Sequence, residues 1–171
     1  MPGASPLGLL HWLALESLYS RAELLEQRER WRQAGRTLVF TNGCYDLLHP
    51  GHIRLLERAR SLGDVLVVGL NTDSSVRLSK GPGRPLTPER ERAELLASLE
   101  AVDGVVLFDE ETPRVLIARL LPDILVKGAD WSHFIAGREE VEAASGRVVT
   151  VPLEPGYSTT RTLEKILSQQ P

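Results

Sequence analysis

Two histidines three residues apart, His49 and His52, stand just after the apolar, β-branched run Thr37-Leu38-Val39-Phe40-Thr41, and their spacing suits phosphate chemistry. The run reads as a buried strand, and Pro50 followed by Ile53, Leu55, Leu56 and Ala59 reads as a helix with proline at its first position. Both histidines then share one face of that helix's first turn. Amide hydrogens without helical partners and the positive end of the helix dipole point outward there, which favours an anion and above all a phosphate. Gly51, between the histidines, lets a bulky group approach the backbone closely.

The elements that must position this pair follow from the patterning. Apolar β-like runs alternate with helix-like ones: strands at Thr37 to Thr41, Val65 to Leu70, Gly104 to Phe108, Asp123 to Val126 and Arg147 to Leu153, and helices opening at Pro50, Pro88, Thr112, Gly137 and Thr159. The expected fold is α/β, a doubly wound five-stranded parallel sheet of Rossmann-like form, with ligands beyond the carboxyl ends of its strands. Residues 71–88 are the main irregular stretch, with one short helical turn near Ser74 to Leu78. His49, Asn71, Lys127 and Ser158 each fall just after a strand, so the topology gathers them at one edge. An amphipathic segment from Ser20 to Ala34 precedes the first strand, which divides the chain into a helical extension, 1–35, and a main domain, 36–171.

Composition narrows the class. The chain has 171 residues, 42% of them hydrophobic, enough for one full core. The single cysteine, Cys44, can form no internal disulfide, so nothing points to an oxidising compartment. The apolar stretch Leu7 to Leu18 is broken by His11 and Glu16, lacks a basic flank and is too short to span a bilayer, so a cytoplasmic chain without a membrane anchor is expected. A net charge of −3 without an arginine-rich, aromatic-interleaved patch gives no footprint for nucleic acid. There is no GxxxxGK[ST] loop, and Gly81-Pro82-Gly83 lacks the third glycine and the strand-to-helix setting of a dinucleotide fingerprint.

The segment Thr41-Asn42-Gly43-Cys44-Tyr45-Asp46, followed by His49-Pro50-Gly51-His52, resembles the HxGH signature of the cytidylyltransferase-like nucleotidyltransferases. Lys80, Arg84-Pro85, Arg92, Lys127-Gly128-Ala129-Asp130-Trp131 and Tyr157-Ser158-Thr159-Thr160 resemble later blocks of that family in the same order, so the likeness runs from about Arg36 to Leu167. The wording TNGCYDLLHPGH, LEAVD, LPDILVKGADW and YSTT is most similar to the branch that adenylylates D-glycero-β-D-manno-heptose 1-phosphate. The resemblance implies transfer of AMP from ATP, with Mg2+, to that sugar phosphate, giving ADP-heptose and pyrophosphate for lipopolysaccharide. It also implies a homodimer. Bifunctional relatives carry a sugar kinase ahead of this domain, for which the residues before the first strand leave no room.

By the same resemblance His49, His52 and Lys80 are the catalytic candidates. Thr41, Asn42, Gly43, Tyr45, Asp46, Gly51, Arg92, Lys127, Gly128, Asp130, Ser158, Thr159 and Thr160 are expected to bind the nucleotide, and Asn71, Arg84 and Trp131 the acceptor. Several have plainer readings. Asp46 can cap a loop, Tyr45 and Cys44 can pack, Lys127 can snorkel, and Ser158 and Thr159 suit the N-cap of the last helix. Arg90, between Glu89 and Glu91, reads as a solvated face. The rival chemistries are a zinc site on Cys44, Asp46, His49 and His52, a nucleotide-binding sensor without turnover, and a cytidylyltransferase for glycerol 3-phosphate. The spacing is unusual for zinc, the paired histidines with the lysines and hydroxyls weigh against a sensor, and the wording between motifs weighs against the cytidylyl branch.

Overall fold

The computed structural model describes residues 16–129, 134–152 and 154–169. The strands are β1 (Leu18–Tyr19), β2 (Leu38–Gly43), β3 (Val65–Asn71), β4 (Gly104–Phe108), β5 (Ile124–Gly128) and β6 (Arg147–Val151). The helices are α1 (Arg21–Gln33), α2 (Pro50–Arg60), α3 (Asp73–Lys80), α4 (Glu89–Ala97), α5 (Arg114–Leu120), α6 (Arg138–Ala143) and α7 (Thr159–Leu167). All strand pairings are parallel, in the order β1-β4-β3-β2-β5-β6. The sheet thus has six strands among the described residues rather than the expected five. The extra one, β1, is two residues long and exists only because Leu18 and Tyr19 pair with Val105 and Val106, so no periodicity marks it.

Alternation along the strands makes two apolar layers. Val39, Leu66, Val68, Leu70 and Val105 face one side, where Leu56 and Ala59 of α2 and Leu96 of α4 cover them. Leu38, Phe40, Val65, Val67 and Val106 face the other, covered by Leu24 and Trp31 of α1 and by Leu116, Ile117 and Leu120 of α5. The described part of the 1–35 segment therefore packs in the same core as the strands. Ser20 opens α1 with a capping box closed by Glu23. The buried Arg28 then donates to the Leu121 carbonyl at 2.9 Å and to both carboxylate oxygens of Asp123 at 3.0 Å.

The stretch expected to be mostly irregular holds a full eight-residue helix, α3, whose Thr72 side chain accepts from the Ser75 amide and whose Ser75 and Val76 are buried. Lys80 ends this helix, and Gly81 leaves it at φ 90°. Among the described residues no helix is long and apolar enough to cross a membrane.

Candidate active site

The chain runs outward from β2 to β3 and β4, then crosses back to place β5 on the other side of β2, so the sheet's direction of travel reverses between β2 and β5. The β2–β5 ladder pairs Val39 with Ile124 and Phe40 with Leu125. Both strands continue three residues further, to Gly43 and Gly128, beyond the last of these pairs. A cavity of about 160 Å³ lies there, lined by Thr41 to Asp46, His52, Leu55, Lys80, Lys127, Gly128 and Thr159. Ten of the residues singled out by sequence line it. A second cavity of about 380 Å³ shares Asn42, Gly43, Cys44, Lys80 and Lys127 with the first and reaches Asn71, Phe108, Glu111 and Phe134. Lys127 bridges back to the Asn42 carbonyl at 3.5 Å.

His49 is the N-cap of α2 and its Nδ1 accepts from the His52 amide at 3.4 Å. An acceptor Nδ1 leaves the proton of the neutral ring on Nε2, so that nitrogen is the donor His49 can offer a ligand. The two imidazoles stack, with centroids 3.7 Å apart and planes 12° from parallel. The expected anion site made of first-turn amides is smaller than the sequence suggested, because Pro50 has no amide hydrogen and His49 takes that of His52. The donors this helix start could offer an anion are therefore mainly ring nitrogens. Burial lowers the pKa of His49, and burial, then His49 and Lys80, push that of His52 down to about 4, so both rings are neutral at pH 7. His52 Nδ1 and Asn42 Oδ1 are buried without a protein partner, two of three such side-chain atoms among the described residues. Unsatisfied polar atoms at a cavity are what a polar ligand would complete.

Tyr45 forms the floor. Its backbone is left-handed at φ 46°, uncommon for an aromatic residue, and its buried ring lies 5.1 Å from that of His52. Burial raises the pKa of its phenol far above the usual range. Gly51 sits in a close approach, since a Cβ there would lie 3.1 Å from His49 Nδ1 and 3.2 Å from the Tyr157 Cβ, so those side chains would have to shift slightly to admit one.

Asp46, Arg84 and Arg92 are occupied within the protein. The Asp46 carboxylate, 3% exposed, accepts from the Leu86 and Thr87 amides at 2.7 and 2.9 Å and pairs with Arg84 Nε. Burial pushes its pKa up, but the Thr87 amide, Arg84 and the Leu86 amide outweigh that and hold it below the usual carboxylate range. Arg92, 1% exposed, donates to the carbonyls of Thr87, Cys44 and Asn71 and to Asp73 at 2.6–2.9 Å. These groups hold the ends of β2 and β3 and the 81–88 loop around the cavity. Asp73 was not legible as Arg92's partner, since nineteen positions separate them. Asn71 donates to Ser75 at 2.8 Å behind the second cavity. Ser158 caps α7 by accepting from the Arg161 amide at 3.0 Å, Thr159 reaches the Leu47 carbonyl at 3.5 Å, and Thr160 is exposed in the first turn. Asp130 and Trp131 lie outside the described residues.

A parallel α/β sheet with paired histidines, lysines and a capped helix start around the crevice where its winding reverses defines a nucleotide-binding enzyme fold. The Cytidylyltransferase-like family model matches residues 40–165, and the chain belongs to that family. It is 54% identical over 156 residues to the bifunctional protein HldE of Acidiphilium cryptum, covering 91% of this chain and 32% of that protein. It is 58% identical over 140 residues to the HldE of Citrifermentans bemidjiense, covering 81% and 29%. The chain thus spans about a third of the length of these curated relatives. Among solved structures, the lipopolysaccharide core biosynthesis protein of Thermoplasma volcanium is 30% identical with a TM-score of 0.58, over 70% of this chain and 98% of that one. Pantoate-beta-alanine ligase of Francisella tularensis, 14% identical with a TM-score of 0.57, shares the fold over 90% of this chain and 79% of its own.

Proposed function

We propose that the chain is an adenylyltransferase that joins AMP from ATP to D-glycero-β-D-manno-heptose 1-phosphate, releasing pyrophosphate and giving ADP-heptose for lipopolysaccharide synthesis. The observation that carries the chemistry is the stacked His49–His52 pair beside a cavity walled by Lys80 and Lys127, where β2 and β5 part. The sugar is supported by about half identity to the HldE proteins over most of this chain and by likeness to a lipopolysaccharide core biosynthesis protein.

In this reaction a phosphate oxygen of the sugar attacks the α-phosphorus in line, and the bond from that phosphorus to the bridging oxygen of the leaving pyrophosphate breaks. The attacking phosphate, with its second pKa at about 6, is already largely ionised at neutral pH, so no general base is required. What remains is to align two mutually repelling anions and to stabilise charge on the transition-state oxygens. The neutral ring of His49, through Nε2–H, and that of His52 serve as donors to the triphosphate, and Thr159 with the capped start of α7 receives its far end. Lys80 and Lys127, which line both cavities, suit the boundary where donor and acceptor phosphates meet. The larger cavity beyond them then takes the sugar.

Mg2+ bound to ATP would neutralise charge on the leaving pyrophosphate. Among the described residues no three His, Cys, Asp or Glu side chains converge to hold a cation. Asp46, a ligand in the zinc alternative, is committed to Arg84 and two amides. The triphosphate oxygens are therefore the ligands this reading gives the metal.

The test is pyrophosphate release from ATP and from CTP against heptose 1-phosphate, glycerol 3-phosphate and phosphoethanolamine. Turnover with ATP and heptose 1-phosphate, reduced about a hundredfold or more in His49→Ala and in His52→Ala, is expected. Turnover confined to CTP overturns the substrate, and no turnover with any pair overturns the enzyme reading.

A further inference from the structure

Tyr157 has no part in the chemistry described above, yet its ring stands beside His49 of the histidine pair. Its ring lies 6.1 Å from that of His49, with planes 23° from parallel, so His49 belongs to two ring contacts, one with His52 and one with Tyr157. Arg54 of α2 stands over the Tyr157 ring, its guanidinium carbon 5.7 Å from the centroid, and pairs with Glu154 at 2.6 Å. The slot at Gly51 is bounded by the His49 imidazole and by the Cβ of Tyr157, so the two side chains meet above a residue without a side chain. α7 has no buried residue to fix where its first turn sits. The described contacts of its leading segment with the body are those of Glu154, Tyr157 and Thr159.

We infer that Tyr157 is a positioning residue for His49, its ring clasped by Arg54 so that the imidazole is held in its stacked, Nε2–H-outward orientation. The ring does this work and the phenol does not, because Tyr157 is 43% exposed and its described contacts are ring contacts. A donor ring free to rotate would still bind substrate but would present its proton less often along the line the transition state needs. The catalytic half of this inference rests on the adenylyltransferase reading, and the geometric half stands apart from it.

The experiment compares Tyr157→Ala, Tyr157→Phe and wild type in two measurements. In the first, steady-state pyrophosphate release, Tyr157→Ala should lose about ten- to a hundredfold in kcat with a much smaller change in KM for ATP, and Tyr157→Phe should stay close to wild type. In the second, the His49 ring-proton NMR signal of the free protein should move in Tyr157→Ala, where the neighbouring ring current is gone, and stay in place in Tyr157→Phe. Since Tyr157 lies outside the buried core, all three proteins should share one circular dichroism spectrum. An unmoved His49 signal in Tyr157→Ala, equal losses in the Ala and Phe variants, or a change in KM alone would overturn the inference. If wild type itself shows no turnover the adenylyltransferase reading fails, while the NMR comparison still decides whether the Tyr157 ring stands against His49.

Discussion

At the scale of single residues, the site holds neutral imidazoles and charges already paired. His52 is held neutral down to about pH 4 by burial first and then by the adjacent His49 and Lys80. An unfolded histidine titrates near 6.5, so between the two values the unfolded chain binds a proton that the native one does not. This contribution to stability is therefore complete above about pH 6.5 and is lost as pH falls through about 4. We expect the urea midpoint of wild type to fall more between pH 7 and pH 5 than that of His52→Gln, with an NMR titration of His52 centred near 4. A titration near 6.5 would contradict the buried setting. Asp46 is the opposite case, a buried carboxylate paired with Arg84 and two loop amides. Asp46→Asn leaves a largely buried guanidinium without its counter-charge and should cost about 3 kcal/mol in urea denaturation.

Among the elements, α2 shows how a local rule yields to function. Glycine at the second position of a helix is normally worse than alanine by up to about 1 kcal/mol, so Gly51→Ala should favour α2 on propensity alone. The added Cβ would press on the His49 ring and on Tyr157 at 3.1–3.2 Å. The expected outcome is a melting temperature equal to or above that of wild type with kcat reduced about tenfold or more. Unchanged kcat would mean that the ring shifts without consequence. The 81–88 loop and α3 are held in place by the donors that meet Asp46 and the acceptors that meet Arg92, which explains why a glycine- and proline-rich stretch gives Lys80 a defined place beside the cavity.

For the molecule as a whole, the site exists because β2 and β5 sit side by side yet run on past the last residues they pair. That arrangement depends on both faces of the sheet being covered, and α1 supplies part of one face. Leu24 is fully buried and Trp31 nearly so, and Arg28 ties α1 to the end of α5 and the start of β5 through Leu121 and Asp123. Leu24→Ala should cost about 2–5 kcal/mol, and a chain beginning at residue 36 should fail to show a cooperative unfolding transition. If that shorter chain unfolded with the wild-type midpoint, α1 would be an accessory layer and the 36–171 unit would be self-sufficient.

The alternation of strands and helices is legible along the chain, since periods of two and of about 3.6 are written in neighbouring residues. The sequence also placed His49, His52, Lys127 and Thr159 near element ends, because prolines, glycines and capping hydroxyls mark those ends locally, whereas the helix that Lys80 ends was read as a mainly irregular stretch. Where side-chain donors point depends instead on contacts made in three dimensions. Arg92 reads as a phosphate ligand in one dimension, but in the fold its donors meet carbonyls of Cys44 and Asn71, forty-eight and twenty-one positions away, and are satisfied there. The sixth strand, the Nε2–H tautomer of His49 and the Arg54–Tyr157 clasp were likewise set by partners distant in sequence or by the geometry of a ring. The physical reason is the same in each: hydrogen bonding and packing act through space, and the pattern along a chain records only the part of them that is local.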